Sequence, residues 1–240
     1  MFDTHAHLNF KDFDNNRDEL IRKCVSKGVG MINVGATIKT SSKAVEIAQK
    51  NENVYGSVGV HPLHAEEEFI FDDLSKLADR KKVIAIGEIG LDNKKKKTID
   101  KQRDLFEKHI KLAVEKDLPL ILHSRKAHEE TLDRIPDYKG VIHCFTGSLK
   151  QAQQYIEKGY LIGLNGIIFK MNLKKVIKKI SLDNIILETD CPYLSPPGWE
   201  GKNTPLGVIP VAEKVAEVKG VDLNEIEKVT DENVRKLFEI

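Results

Sequence analysis

The sequence predicts an α/β protein folded as a (β/α)8 TIM barrel. Three observations predict it: eight short β-type runs, stretches of helical periodicity between most of them, and a length of 240 residues. Strands alternating with helices call for a parallel sheet. Eight such repeats in a chain of about 250 residues call for closure into a barrel rather than an open sheet. No linker interrupts the pattern, so residues 1–240 read as one domain.

The runs, in order, are Met1–His5, Val29–Gly35, Val54–Val60, Val83–Glu88, Leu118–His123, Val141–Cys144, Tyr160–Leu164 and Ile185–Thr189. Each is a short apolar run, several of them rich in Val and Ile and ending in Gly or a polar residue, as buried strands do. Gly28 and Gly159 precede the second and seventh runs, where a helix stop in the left-handed conformation is wanted. The clearest helix is Lys101–Lys116, in which Leu105, Phe106, His109, Leu112 and Ala113 recur at steps of three and four. The segment Cys191–Pro210 breaks the rhythm and holds five of the eight prolines. A loop of that length in a compact domain is more often functional than accidental. Two helical runs follow it, Val211–Lys219 and Leu223–Phe238.

Composition narrows the function classes. A net charge of +1 argues against coating nucleic acid by bulk attraction, while leaving room for a local basic patch. Aromatics at 6% argue against an extended base-stacking groove. Three cysteines, Cys24, Cys144 and Cys191, form no CxxC pair and suggest reduced thiols and a cytoplasmic home. No signal peptide or bilayer-length apolar run is evident. No apolar surface stripe stands out, so a monomer without membrane contact is expected.

The strongest functional signal is where the reactive side chains fall. His5 and His7 end the first run, Glu88 the fourth, His123 the fifth, His143 the sixth and Asp190 the eighth, with His61 close after the third. In this fold the C-terminal strand ends carry the active site. Residues two apart on a strand point to one side, so His5 and His7 can reach one ion. Singly, each residue has an ordinary explanation: a satisfied core histidine, a turn glutamate, a helix-capping aspartate. Together they form a donor set that suits zinc, manganese or iron better than calcium, which wants only oxygen.

DTHAHL at 3–8, GVHP at 59–62, GEIGLD at 87–92, LHSR at 122–125, HCFTGS at 143–148, ETDCPYL at 188–194 and GKNTP at 201–205 resemble the TatD family of metal-dependent deoxyribonucleases over nearly the full length. The resemblance implies a site for two divalent ions, Mg, Mn or Zn. His5, His7, Glu88 and Asp190 would hold one, and Glu88, His123 and His143 the other. It implies hydrolysis of DNA phosphodiesters, with RNA as a further substrate, from single-stranded 3′ ends in the 3′-to-5′ direction. One departure stands out: the family carries aromatics and an arginine after GLD, where this chain has Asn93 followed by Lys94, Lys95, Lys96 and Lys97. Those lysines read as a solvated turn or as phosphate contacts.

The expected mechanism is metal-activated water attack, with Glu88 and Asp190 as the catalytic carboxylates and Asp190 as the base. His61, Arg125, Asn203 and Lys202 are the expected phosphate contacts, Arg125 through its planar fork. Trp199 could stack a base or pack its loop, and His109 reads as a packing or surface residue. The alternative reading is a C–N or ester hydrolase on the same barrel, including aminoacyl-tRNA ester hydrolysis. A binding scaffold with a structural ion is less consistent with six non-cysteine donors at an open mouth.

Overall fold

The computed structural model describes all 240 residues. Strands and helices alternate along the chain: β1 (Phe2–Ala6), α1 (Arg17–Ser26), β2 (Gly30–Val34), α2 (Ile38–Lys50), β3 (Val54–Val58), α3 (Phe71–Ala78), β4 (Val83–Asp92), α4 (Ile99–Lys116) and β5 (Leu120–Arg125). Then follow α5 (His128–Arg134), β6 (Gly140–Ile142), α6 (Leu149–Glu157), β7 (Tyr160–Leu164), α7 (Lys174–Lys179), β8 (Ile185–Leu187), α8 (Val208–Lys219) and α9 (Leu223–Phe238). The strands are parallel and neighbour one another in sequence order. This is the TIM barrel that the strand count predicts. Gly28 and Gly159 do adopt positive φ, +73° and +94°.

The seam between β8 and β1 is joined differently from the other seven. In place of a regular ladder, the buried Asp3 carboxylate accepts from the backbone N–H groups of His5 and Thr189 and from the Thr189 hydroxyl. Thr4 donates to the Leu187 carbonyl. Beyond these, Asp190 N–H donates to His5 O at 2.8 Å and His7 N–H to Cys191 O at 3.0 Å. Barrel closure and the placement of three polar residues are thus one set of bonds.

Strand β4 runs four residues past its expected end at Glu88. The register shifts between Gly87 and Ile89, and pairing with β5 resumes at Ile89↔Leu122 and continues through Gly90↔His123 to Asp92↔Arg125. Gly90 makes this possible. Its φ is +137°, and a Cβ there would lie 2.0 Å from the His123 carbonyl oxygen. Conversely β6 and β8 are only three residues each, so His143 and Asp190 lie just beyond their strands.

Apolar packing falls into two layers. The larger fills the space between strands and helices. The smaller joins Ile32, Val34, Ala85, Ile121, Val141 and Ile186 to Val234, Leu237 and Phe238 of α9. Side chains two apart share a face, so Ile121 and Val141 lie directly below His123 and His143. α8 begins three residues before its expected start, with Pro210 in its first turn, where no intrahelical N–H is needed.

Candidate metal centre

Glu88 stands in the middle of the site, and its two oxygens face different partners. Oε2 lies 3.4 Å from His5 Nε2 and 3.9 Å from His7 Nε2. Oε1 lies 2.8 Å from His123 Nδ1, 3.5 Å from His61 Nε2 and 3.7 Å from His143 Nε2. Asp190 Oδ1 closes the first group, 3.4 Å from His7 Nε2 and 4.0 Å from His5 Nε2. It also approaches His143 Nε2 at 4.0 Å. All of these residues except His5 line one cleft of about 460 Å³ at the C-terminal end of the strands.

Several imidazoles are oriented by a partner on the side away from the cleft. His7 Nδ1 donates to the Val34 carbonyl at 2.9 Å, leaving a bare Nε2 aimed inward. His143 Nδ1 lies 2.9 Å from Glu188 Oε1, which does the same for its Nε2. Glu188 is itself held, accepting from Cys144 N–H at 2.6 Å and from the Asn165 amide at 3.1 Å. A carboxylate or carbonyl behind a histidine is the usual support of a metal-binding imidazole. His61 differs. Its Nδ1 accepts from Leu63 N–H at 3.1 Å, so this backbone partner assigns the proton to Nε2.

The electrostatics favour bound cations. Burial works against charge on Glu88, yet the surrounding imidazoles hold its carboxyl well below the usual range. Burial and then the His7 contact act in the same opposed way on Asp190, with a net lowering. Burial pushes His143 down, but the charge and contact of Glu188, with Glu88 and Asp190, raise it to about 10. Burial carries His61 down to about 3, so it is neutral at working pH. Convergent imidazole nitrogens and ionised carboxylates are a donor set that fits divalent ions, a cation displacing the proton from His143. Four groupings of donors within ligating reach of one another occur here: His5 with His7 and Asp190, His5 with His143 and Glu188, Glu88 with His123 and His61, and His143 with Cys144 and Asp190.

The family profile described as "TatD related DNase" matches residues 2–239. The chain belongs to the TatD family. It is 36% identical to the Bacillus subtilis YabD protein, described as an uncharacterized metal-dependent hydrolase, over all of this chain and 99% of that protein. It is 31% identical to the Salmonella typhimurium TatD protein, described as a 3′-5′ ssDNA/RNA exonuclease, over all of this chain and 99% of that protein. Among solved structures, the Escherichia coli TatD homologue YJJV superposes with a TM-score of 0.92 at 30% identity, covering all of this chain and 98% of that one. The protein is therefore a metal-dependent hydrolase of the TatD family.

In this TatD-family chain the structure brings His5, His7, Glu88, His123, His143 and Asp190 together, and adds His61 beside Glu88. Arg125 lines the same cleft. Two expected phosphate contacts stand elsewhere. Asn203 is 1% exposed and donates to the Thr189 and Tyr193 carbonyls while accepting from Thr204 N–H, so its amide pins the long loop. Lys202 lies outside the cleft lining, paired with Asp12 at 2.7 Å. Trp199 packs half-buried on the core and donates to the Lys202 carbonyl.

Sequence reasoning gave no site role to Glu188 or Asp92, and His109, read as a packing or surface residue, is a packing residue with a further role. Glu188 directly precedes Thr189-Asp190 and opens the ETDCPYL block, which is the signal that could have found it. Asp92 Oδ2 lies 3.4 Å from His123 Nε2, on the ring edge away from Glu88. His109 is buried in α4, where Nδ1 bonds the Leu105 carbonyl and Nε2 accepts from Val60 N–H. It thereby fixes the backbone one residue before His61. Burial pushes His109 down to about 4. No helix is long and apolar enough to cross a membrane.

Proposed function

We propose that this protein is a divalent-metal-dependent nuclease that removes nucleotides from the 3′ ends of single-stranded DNA, and also accepts RNA. The observation that carries the reading is the division of Glu88 between two imidazole groups in an open cleft. A carboxylate so placed suits a bridge between two ions, and paired ions suit in-line displacement at phosphorus. The relative described as a 3′-5′ ssDNA/RNA exonuclease, alike over the full length, supports the substrate and the polarity.

His5, His7, Glu88 and Asp190 would hold one ion, and Glu88, His123 and His143 the other. Bound ions supply Lewis acidity toward a phosphoryl oxygen and acidify a water. The chain's own residues do the rest. Asp190, ionised and the most exposed of the central carboxylates at 18%, orients the attacking water and accepts its proton. Glu88 stays ionised and holds the donor groups in register. His61, neutral and carrying its proton on Nε2, donates to a non-bridging phosphate oxygen. Arg125 grips a second phosphate oxygen with its fork. Glu188 and the Val34 carbonyl keep the His143 and His7 rings aimed.

Metal-stripped protein incubated with a 3′-labelled single strand, with Mn, Mg or Zn restored in turn, tests the reading. Release of labelled mononucleotide ahead of internal fragments is expected. Turnover of cyclic amides, or release of free amino acid from charged tRNA, with the labelled strand left intact, would replace the nuclease with the C–N or ester hydrolase.

A further inference from the structure

We propose that the lysine turn after β4 is a phosphate track that grips the strand leading away from the cleft. This rests on the nuclease reading and adds how the strand is held: through its backbone, without regard to base. Lys94, Lys95, Lys96 and Lys97 are all exposed in the short 3-10 turn Asn93–Thr98. Asp92, just before the turn, lines the cleft. Lys95 Nζ donates at 3.1 Å to the carbonyl of Leu63, another cleft residue. The Asn93 amide donates to the Lys126 carbonyl at 2.8 Å, tying the turn to the end of β5, where Arg125 also lines the cleft. Six cationic side chains, Lys94 to Lys97 with Arg125 and Lys126, thus lie along one arc of the rim of a protein whose net charge is only +1.

None of these six cations makes an ion pair. On the adjoining turn Glu66 is paired with Lys101, Glu67 contacts His64, and Glu68 is exposed, none of them against the lysine turn. Nor is the turn loosely held. The buried Gln102 side chain accepts from Asp92 N–H and donates to the Asp92 carbonyl, the Lys95 carbonyl and the Thr98 hydroxyl. Asp92 Oδ1 accepts from Lys94 N–H at 2.8 Å. A fixed row of cations with no aromatic side chain among residues 93–97 offers phosphates a partner and bases none. Its occupant is therefore a single nucleic-acid strand bound by its phosphates.

The test compares wild type with the variant Lys94→Ser, Lys96→Ser, Lys97→Ser on a dinucleotide and on a longer oligonucleotide across a range of salt. Each lost phosphate contact lowers the log–log salt slope for a single strand by about 0.7, so the variant's slope should be shallower by about 2. The same contacts should cost on the order of 100-fold in oligonucleotide kcat/KM at 0.1 M salt. The loss should grow with substrate length, and abasic residues beyond the 3′-terminal nucleotide should not weaken binding. An unchanged slope, an equal loss on both substrates, or a marked abasic penalty would overturn the track while leaving the nuclease reading intact. A wild-type protein that turns over neither phosphodiester would overturn both.

Discussion

Replacing Glu188 with Gln removes one buried charge behind His143 and keeps the side-chain volume. The Gln carbonyl can still accept from Cys144 N–H and the Asn165 amide, so the loop geometry should survive. His143 keeps an acceptor at its Nδ1 but loses the negative charge 2.9 Å away that most strongly opposes burial and raises its basicity to about 10. A more basic imidazole is a better ligand, and removing such an outer partner costs about 10–100-fold in metal affinity or activity. That is about 1.4–2.7 kcal/mol at 1.36 kcal/mol per decade. Proton and ion compete for the same Nε2, and the variant also weakens the proton. The deficit should therefore be largest at alkaline pH, where little proton remains to be displaced, and should shrink as pH falls. Calorimetric Mn²⁺ titrations of both proteins at several pH values, with thermal unfolding as a check on the fold, measure it. A variant that binds Mn²⁺ like wild type at every pH, or whose deficit deepens toward acid, would refute the role given to Glu188.

Asp190→Asn should lower kcat on the order of 10²–10⁴-fold with little change in KM, the range for loss of a positioned proton acceptor; near-full kcat in a metal-loaded variant would remove Asp190 as the base. Gly90→Ala should destabilise by about 3 kcal/mol or more, since φ of +137° is strained for alanine and the new methyl meets the β5 backbone at His123; urea denaturation reports this, and a stable variant with wild-type metal affinity would count against the role of that crossing. His109 has a folded pKa of about 4 against about 6.5 unfolded, so below pH 6.5 the unfolded chain takes up a proton that the folded chain does not. Stability should therefore fall as pH drops from 6.5 toward 4, by up to about 3 kcal/mol from this residue; His109→Gln should flatten that part of the urea-midpoint profile, and an unchanged profile would contradict it.

Much of the fold is written locally. Short apolar runs such as LILH and NIILE, repeating between helical stretches, read as buried strands, and positive-φ glycines at 28 and 159 mark the turns into two of the eight. The clustering of His5, His7, Glu88, His123, His143 and Asp190 was legible because each stands at or near a strand end, and topology alone carries strand ends to one rim. What was not legible depends on partners distant in sequence. The amide of Asn203 looks like a ligand in a proline-rich loop, but its carbonyl partners at 189 and 193 close the loop on itself. The continuation of β4 past Glu88 follows from a backbone shift at Gly87–Ile89 that no side-chain pattern encodes. His109 shows an apolar-face position on α4, and only the packed structure reveals that it meets Val60 N–H.

Crystals grown with Mn²⁺ and measured at its absorption edge would locate the ions directly. Two anomalous peaks about 3.5–4 Å apart, one against His5, His7 and Asp190 and one against His123 and His143, with Glu88 touching both, are expected. A single peak, or any pair that Glu88 does not bridge, would contradict the two-ion site.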